Sequence, residues 1–141
     1  MAGRILGIDL GAKRIGLALS DPAGTIASPI GKIEFRGEEH LLAEIEKLVK
    51  EKEIAEIVVG FPIRTSGQKG EQAFGAERFA EKLRARLSLP VHLLDERMST
   101  QAAEKALLES DMSRQKRKNV RDQVAASLIL QSFLELRRFR Q

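Results

Sequence analysis

A mixed α/β fold, one sheet with helices on both of its faces, is predicted by the pattern of this 141-residue chain. Three compact extended segments crowd its first quarter, and segments of helical and extended period then alternate. The 43% apolar content suffices to cover both faces of such a sheet. The length is that of one ordinary domain, so residues 1–141 are read as a single unit.

Arg4 to Leu10 (RILGIDL) and Ile15 to Ser20 (IGLALS) flank the polar turn Ala12-Lys13-Arg14 and predict a hairpin. After the turn Asp21-Pro22-Ala23-Gly24, a third strand is expected from about Ile26 to Phe35, bent or at a sheet edge because it contains Pro29 and Gly31. Glu38 to Lys52 sets Leu41, Leu42, Ile45, Leu48 and Val49 at helical spacing. A strand at Ala55 to Gly60 follows, then a polar loop with Pro62, Gly67 and Gly70. A second helix runs from about Glu71 to Leu87, with Phe74, Phe79, Leu83 and Leu87 as its buried stripe. Pro90 stops it before the strand Val91 to Asp95. Ser99 or Thr100 can cap a third helix through Leu108. Ser110 to Lys118 lacks an apolar stripe and is expected to be the most mobile part of the chain. A last helix is expected from about Val120 to Leu136, with Val124, Ala125, Leu128, Ile129 and Phe133 facing inward.

The composition narrows the chemistry. Without cysteine there is no disulfide, thiolate zinc site or cysteine nucleophile, and a reducing compartment, the cytoplasm, fits. No apolar run is long enough for a membrane span, and no signal core precedes the first strand. With only His40 and His92 as nitrogen donors, a metal site must be built from Asp and Glu, which suits magnesium or manganese. The net charge of +4 favours a polyanionic partner only modestly, but five of the eight residues from Arg114 to Arg121 are basic. A solvated helix face accounts for such a run equally well. Trp and Tyr are absent, so phosphate contacts are better supplied than base stacking.

Three acidic positions stand out. Asp9 ends the first strand between Gly7 and Gly11, Asp95 and Glu96 end the strand VHLLD beside Arg97, and Asp122 lies near the start of the last helix. Taken singly, each is explained by a turn or a helix start, where carboxylates are favourable. Brought together they would repel one another, and divalent ions are the natural remedy. Two such ions about 4 Å apart can serve phosphoryl transfer without a protein nucleophile. Ser20, Ser99 and Ser127 have no histidine nearby in sequence and no GxSxG setting, which argues against a serine hydrolase.

Together, the blocks Gly7-Ile8-Asp9-Leu10-Gly11 with Lys13-Arg14-Ile15-Gly16-Leu17-Ala18 and Ser20-Asp21, Val59-Gly60-Phe61-Pro62 with Gly67 and Gly70, Asp95-Glu96-Arg97, and Asp122 with Ala125-Ala126 and Ile129-Leu130-Gln131 resemble the YqgF/RuvX family. The match runs in order along essentially the whole chain. That family is described as nucleases of the 16S rRNA precursor and is also called Holliday-junction-resolvase-like. The resemblance implies an RNase H-like fold with a five-stranded mixed sheet, and a metal site at Asp9, Glu96 and Asp122 with Asp95 in support. Met98-Ser99-Thr100 departs mildly from the family's pattern and leaves the acidic residues intact.

Lys13, Arg14, Lys69, Arg97, Lys116, Arg117 and Lys118 are candidate phosphate contacts. The loop from Arg64 to Gly70 is not a Walker A motif, because no Lys-Ser/Thr follows its second glycine. A nuclease acting on rRNA precursor ends, as monomer or homodimer, therefore leads. Cleavage of branched DNA, and nucleic-acid binding without catalysis, stay open beside it. A sugar-kinase-like ATPase, whose fold also opens with a GIDLG strand, ranks low because it needs two such domains.

Overall fold

In a computed structural model, the described residues are 3–10, 14–61, 71–95 and 114–139; within these, the side chains at 61, 71–74, 95, 114–124 and 138–139 are not described. Three strands open the chain: β1 (Arg4–Leu10), β2 (Arg14–Ser20) and β3 (Ala27–Glu34). Helix α1 (Glu38–Lys52), strand β4 (Ile54–Phe61), helix α2 (Glu71–Leu87), strand β5 (Val91–Asp95) and helix α3 (Arg114–Phe139) follow. The sheet has five strands in the order β3-β2-β1-β4-β5. β1 pairs antiparallel with β2 and parallel with β4, and β4 runs parallel with β5.

Pairing in β3 slips between Leu17 and Ala18 of β2, opposite Gly31 and Pro29, so the bend expected from those two residues is a bulge in an edge strand. Helix α1 ends at Glu53, which takes a left-handed conformation and donates its N–H to the Val49 carbonyl. The helix from Ser99 to Leu108 and the loop from Arg64 to Gly70 lie outside the described residues.

Strand alternation divides the core in two. Leu6, Ile8, Ile15, Leu17, Ile57 and Val59 point to one face, where Leu41, Leu42 and Ile45 of α1 and Phe79, Ala80 and Leu83 of α2 cover them. Ile5, Ala18 and Val58 point to the other, beneath Ala126, Ile129, Leu130 and Leu134 of α3. Glu39 and Glu46 of α1 pair with Arg86 of α2 at 2.7 and 3.6 Å, and Glu38 pairs with Lys82.

Two expectations for the last helix are corrected. It begins at Arg114 and not near Val120, so Arg114 to Lys118 form its first turns, while 110–113 lie outside the described residues. Arg, Lys and Gln are good helix formers and need no apolar stripe to extend a helix anchored farther along. Its buried stripe is Ala126, Ile129, Leu130 and Leu134, whereas Ala125 and Leu128 are only half-buried. Gly7 explains the rotation: a Cβ there would lie 2.8 Å from Leu130 Cβ and 3.1 Å from the Ala126 carbonyl oxygen. The bare strand admits the helix along that line.

The turn after β2 is held by side chains that the sequence marked only as a motif. Ser20 Oγ accepts the Ile5 N–H at 2.8 Å and donates to the Asp21 carbonyl at 3.1 Å. Asp21 accepts the Thr25 N–H at 2.7 Å, the Ile26 N–H at 2.9 Å and the Thr25 hydroxyl at 2.8 Å. The Ile26 N–H foremost, then the Thr25 groups, hold the Asp21 carboxyl down at about 2.

Replacing Gly7 with Ala is expected to cost about 1–3 kcal/mol by overpacking, because one of the opposing atoms is helix backbone and cannot turn aside; denaturant unfolding checks this. Asp21 gives a pH signature. Its folded value lies below the ordinary 3.9 or so of an unfolded Asp, so its stabilisation is complete above that pH and fades as pH falls toward 2. Asp21→Asn should therefore lower the urea midpoint at neutral pH, with the gap from the parent narrowing below about pH 4.

Candidate functional site

The parallel strands β1, β4 and β5 end at one edge of the sheet, at Asp9 or Leu10, Phe61 and Asp95. Open α/β sheets bind ligands outside such carboxyl ends. In register, Asp9 stands opposite Gly16 of β2 and Gly60 of β4, Gly60 opposite Leu94, and Phe61 opposite Asp95. Asp9 is half-buried, and both of its neighbours across the sheet are glycines that bring no side chain to pair with it or crowd it. Among the described residues, no group hydrogen-bonds its carboxylate.

Asp9 lies on the α3 side, two residues beyond Gly7, because Leu6 and Ile8 occupy the opposite core. The direction of α3 is fixed by contacts along its length. Arg137 pairs with Glu56 of β4 at 2.7 Å, Phe133 stacks on His92 of β5 with ring centroids 4.9 Å apart, and Ala126 and Leu130 lie over Gly7. Helix α3 thus runs antiparallel to β1. One turn before Ala126, a rise of about 6 Å, brings position 122 to the level of Asp9, since two strand residues span about 6.6 Å. Position 122 also falls nearly on the helical line of Ile129 and Phe133, the line that meets β5.

Of the residues singled out in the sequence, the positions of Asp9, Asp95 and Asp122 are thus brought to one edge of the fold. Glu96, Arg97, Lys13 and Lys69 lie outside the described residues. Arg14 is exposed at the start of β2, opposite Glu34 of β3, and it shares Asp9's face because Ile15 points to the other core. Lys116, Arg117 and Lys118 belong to the first turns of α3. Among the described residues, no three of His, Cys, Asp and Glu gather closely enough to hold a metal.

The histidines are engaged elsewhere. His92 Nε2 lies 3.1 Å from Glu56, whose carboxylate also takes the Arg137 guanidinium at 2.8 and 2.7 Å, and that guanidinium sits 5.3 Å from the centre of the Phe133 ring. His40 faces Glu44 within α1 at 3.8 Å. Gln131 accepts the Ala27 N–H at 3.0 Å and donates to the Thr25 carbonyl at 3.3 Å, tying α3 to β3. The sequence reading placed Phe133 only on the inward stripe of the last helix and gave Glu56 and Arg137 no partner, because the three meet only through the fold.

Comparison with known proteins agrees with this geometry. Residues 3–136 match the family described as RuvX, Holliday junction resolvase. A Moorella thermoacetica protein named "Putative pre-16S rRNA nuclease" is 46% identical over 132 residues, covering 94% of each chain. A Pelotomaculum thermopropionicum protein of the same name is 48% identical over 133 residues, 94% of this chain and 86% of that one. Among solved structures, RuvC of T. thermophilus in complex with a Holliday junction substrate superposes with a TM-score of 0.64 at 12% identity, over 97% of this chain and 96% of that one. The fold is accordingly RNase H-like, with the five-stranded mixed sheet that was expected.

Proteins of this kind generally use divalent metals, and the site suits one. A half-buried carboxylate between two glycines, with no described hydrogen-bond partner, is a hard oxygen donor open to a hard cation. Saturating manganese is expected to raise the melting temperature, by the equivalent of about 2.7 kcal/mol at a hundredfold excess over Kd, and Asp9→Asn should remove most of that rise. An equal rise in both proteins would take Asp9 out of the metal site.

Proposed function

The chain belongs to the RuvX family, and on that premise we propose that it is a divalent-metal-dependent nuclease that matures the 5′ end of the 16S rRNA precursor. The observation that carries this reading is the meeting of Asp9, the end of β5 and position 122 of α3 at one sheet edge. Asp9, Glu96 and Asp122 would hold the metal, magnesium or manganese. The assignment of Glu96 as the ligand, with Asp95 in support, follows the family's pattern: Glu96 lies just beyond the end of β5, outside the described residues. The whole chain is read as one nuclease domain.

When bound, such ions stabilise charge on the phosphate and activate water. The chain's own part is to hold the carboxylates ionised at fixed positions, with Asp9 on the first strand of the sheet and Asp122 on a helix clamped at its far end by Glu56 and Arg137. Arg14, on Asp9's face, would neutralise a phosphate next to the cleaved one, and Lys13, Lys69 and Arg97 would serve similarly. In the overall reaction, water oxygen bonds to phosphorus, the bond to the leaving oxygen breaks, and a proton ends on that oxygen.

The family's description favours a second reading, cleavage of four-way DNA junctions. Processing a single rRNA end needs one site and works as a monomer, whereas symmetric junction cutting calls for a twofold dimer. No helix among the described residues is long and apolar enough to cross a membrane, and we assign the protein to the cytoplasm with its substrate.

The test is cleavage of a precursor-16S RNA fragment and of a DNA four-way junction with magnesium or manganese. The RNA is expected to be cut, and Asp9→Asn, Glu96→Gln and Asp122→Asn should each lower the rate by a hundredfold or more while binding persists. Cutting of the junction alone would select the second reading. Binding without cutting of either would leave a nucleic-acid-binding protein.

A further inference from the structure

The edge of the sheet that carries Asp9 continues across β2 to β3. Gly60, Asp9, Gly16 and Lys32 stand in one row over β4, β1, β2 and β3. Ile15 and Ile33, the strand neighbours of Gly16 and Lys32, pack into the core under α1 and α2, so Lys32 shares the face of Asp9. Two strand spacings put the Lys32 Cα about 10 Å from that of Asp9, and Gly16 sets no side chain between them. The long flexible stem of a lysine covers much of such a gap.

The end of β3 brings further cations and an aromatic ring to the same edge. Arg14 stands opposite Glu34, and Phe35 and Arg36 follow. Glu34 faces Arg36 at 3.6 Å with 70% of each side chain exposed. Glu38 and Glu39, the acids at the start of α1, are held by Lys82 and Arg86 of α2. Among the described residues, Arg14, Lys32 and Arg36 against Glu34 therefore leave this corner positive. Of the three Phe side chains described, Phe79 is buried and Phe133 packs against His92 and Arg137, whereas Phe35 is 50% exposed. A lone exposed apolar side chain is ordinary. Phe35 is set apart by its place, at a positive corner of the edge that carries Asp9, where an aromatic face and phosphate-binding cations together suit a single strand.

We propose that the substrate strand leaving the cleaved phosphate crosses β2 to the end of β3, where Lys32 holds one of its phosphates and Phe35 stacks an unpaired base. The proposal rests on the nuclease reading and adds the form of the substrate, which is single-stranded on one side of the cleaved bond. A base inside a duplex offers no free face, whereas any unpaired base can stack. On the sheet spacings Phe35 lies about 14 Å from Asp9, so the unpaired stretch runs a few nucleotides beyond the cut. Composition weighed the scarcity of aromatic residues against base stacking, and the exposure of Phe35 supplies one ring where a strand would pass.

The experiment measures binding to Asp9→Asn protein, so that no turnover intervenes. The probes are an RNA stem with an unpaired tail at its 5′ or 3′ end, and the same RNA with that tail annealed to a complement. One tailed form is expected to bind more tightly than its annealed form. Adding Phe35→Leu should lower the affinity for it about tenfold with its salt dependence unchanged, and Phe35→Tyr should keep it. Lys32→Gln should reduce the salt slope for the tailed form by about 0.7, the share of one single-strand phosphate, and Lys32→Arg should not. No loss from Phe35→Leu, or an equal loss for tailed and annealed RNA, would overturn the proposal, as would a slope that Lys32→Gln leaves unmoved in protein that melts like its parent. Should Lys32→Gln not fold, the two Phe35 variants decide. If protein with Asp9 intact binds the tail through Phe35 but cuts nothing, the nuclease reading alone fails and this path stands.

Discussion

The contact of α3 with the bare backbone of β1 at Gly7 is the constraint on which the rest of this structure depends. An ideal Cβ on that residue would stand 2.8 Å from the Cβ of Leu130, closer than real side chains come. Without it the helix settles onto the centre of the sheet, buries Ala126, Ile129 and Leu130, and carries its own N-terminal half to the carboxyl ends of the parallel strands. The site inherits its geometry from that seating. A residue one turn before Ala126 stands level with Asp9 because helix rise per turn and strand rise per two residues nearly coincide.

Secondary contacts keep the helix from sliding. Gln131 ties it to the entry of β3, and Arg137 and Phe133 tie it to Glu56 and His92 on the opposite half of the sheet. These are polar or mixed contacts at the margins of an apolar stripe, and they act on both sides of the helix axis. Ser20 and Asp21 play the same part for the first hairpin by consuming the backbone N–H groups of Ile5, Thr25 and Ile26. Much of what the family resemblance shares is therefore scaffold: Gly7, Ser20, Asp21 and Gln131 hold elements in place.

Those carboxylates show where the sequence was readable. Asp9 was legible because it ends a compact apolar strand between two glycines, and strand ends are where clefts form. Spacing alone did not separate Asp95 from Glu96, since adjacent residues at a strand end differ only in the face they take. Glu56 and Arg137 were not legible, because two residues 81 apart in the chain carry no local sign of their pairing.

By itself the sequence determined the kind of fold, the helix–strand order of most elements and the family. Those properties follow from short-range periodicity, from composition and from motifs in order. Tertiary structure decided the start of the last helix and the stripe it buries. Helix rotation is set by where a neighbouring strand lacks side chains, and that neighbour lies more than a hundred residues away, at Gly7.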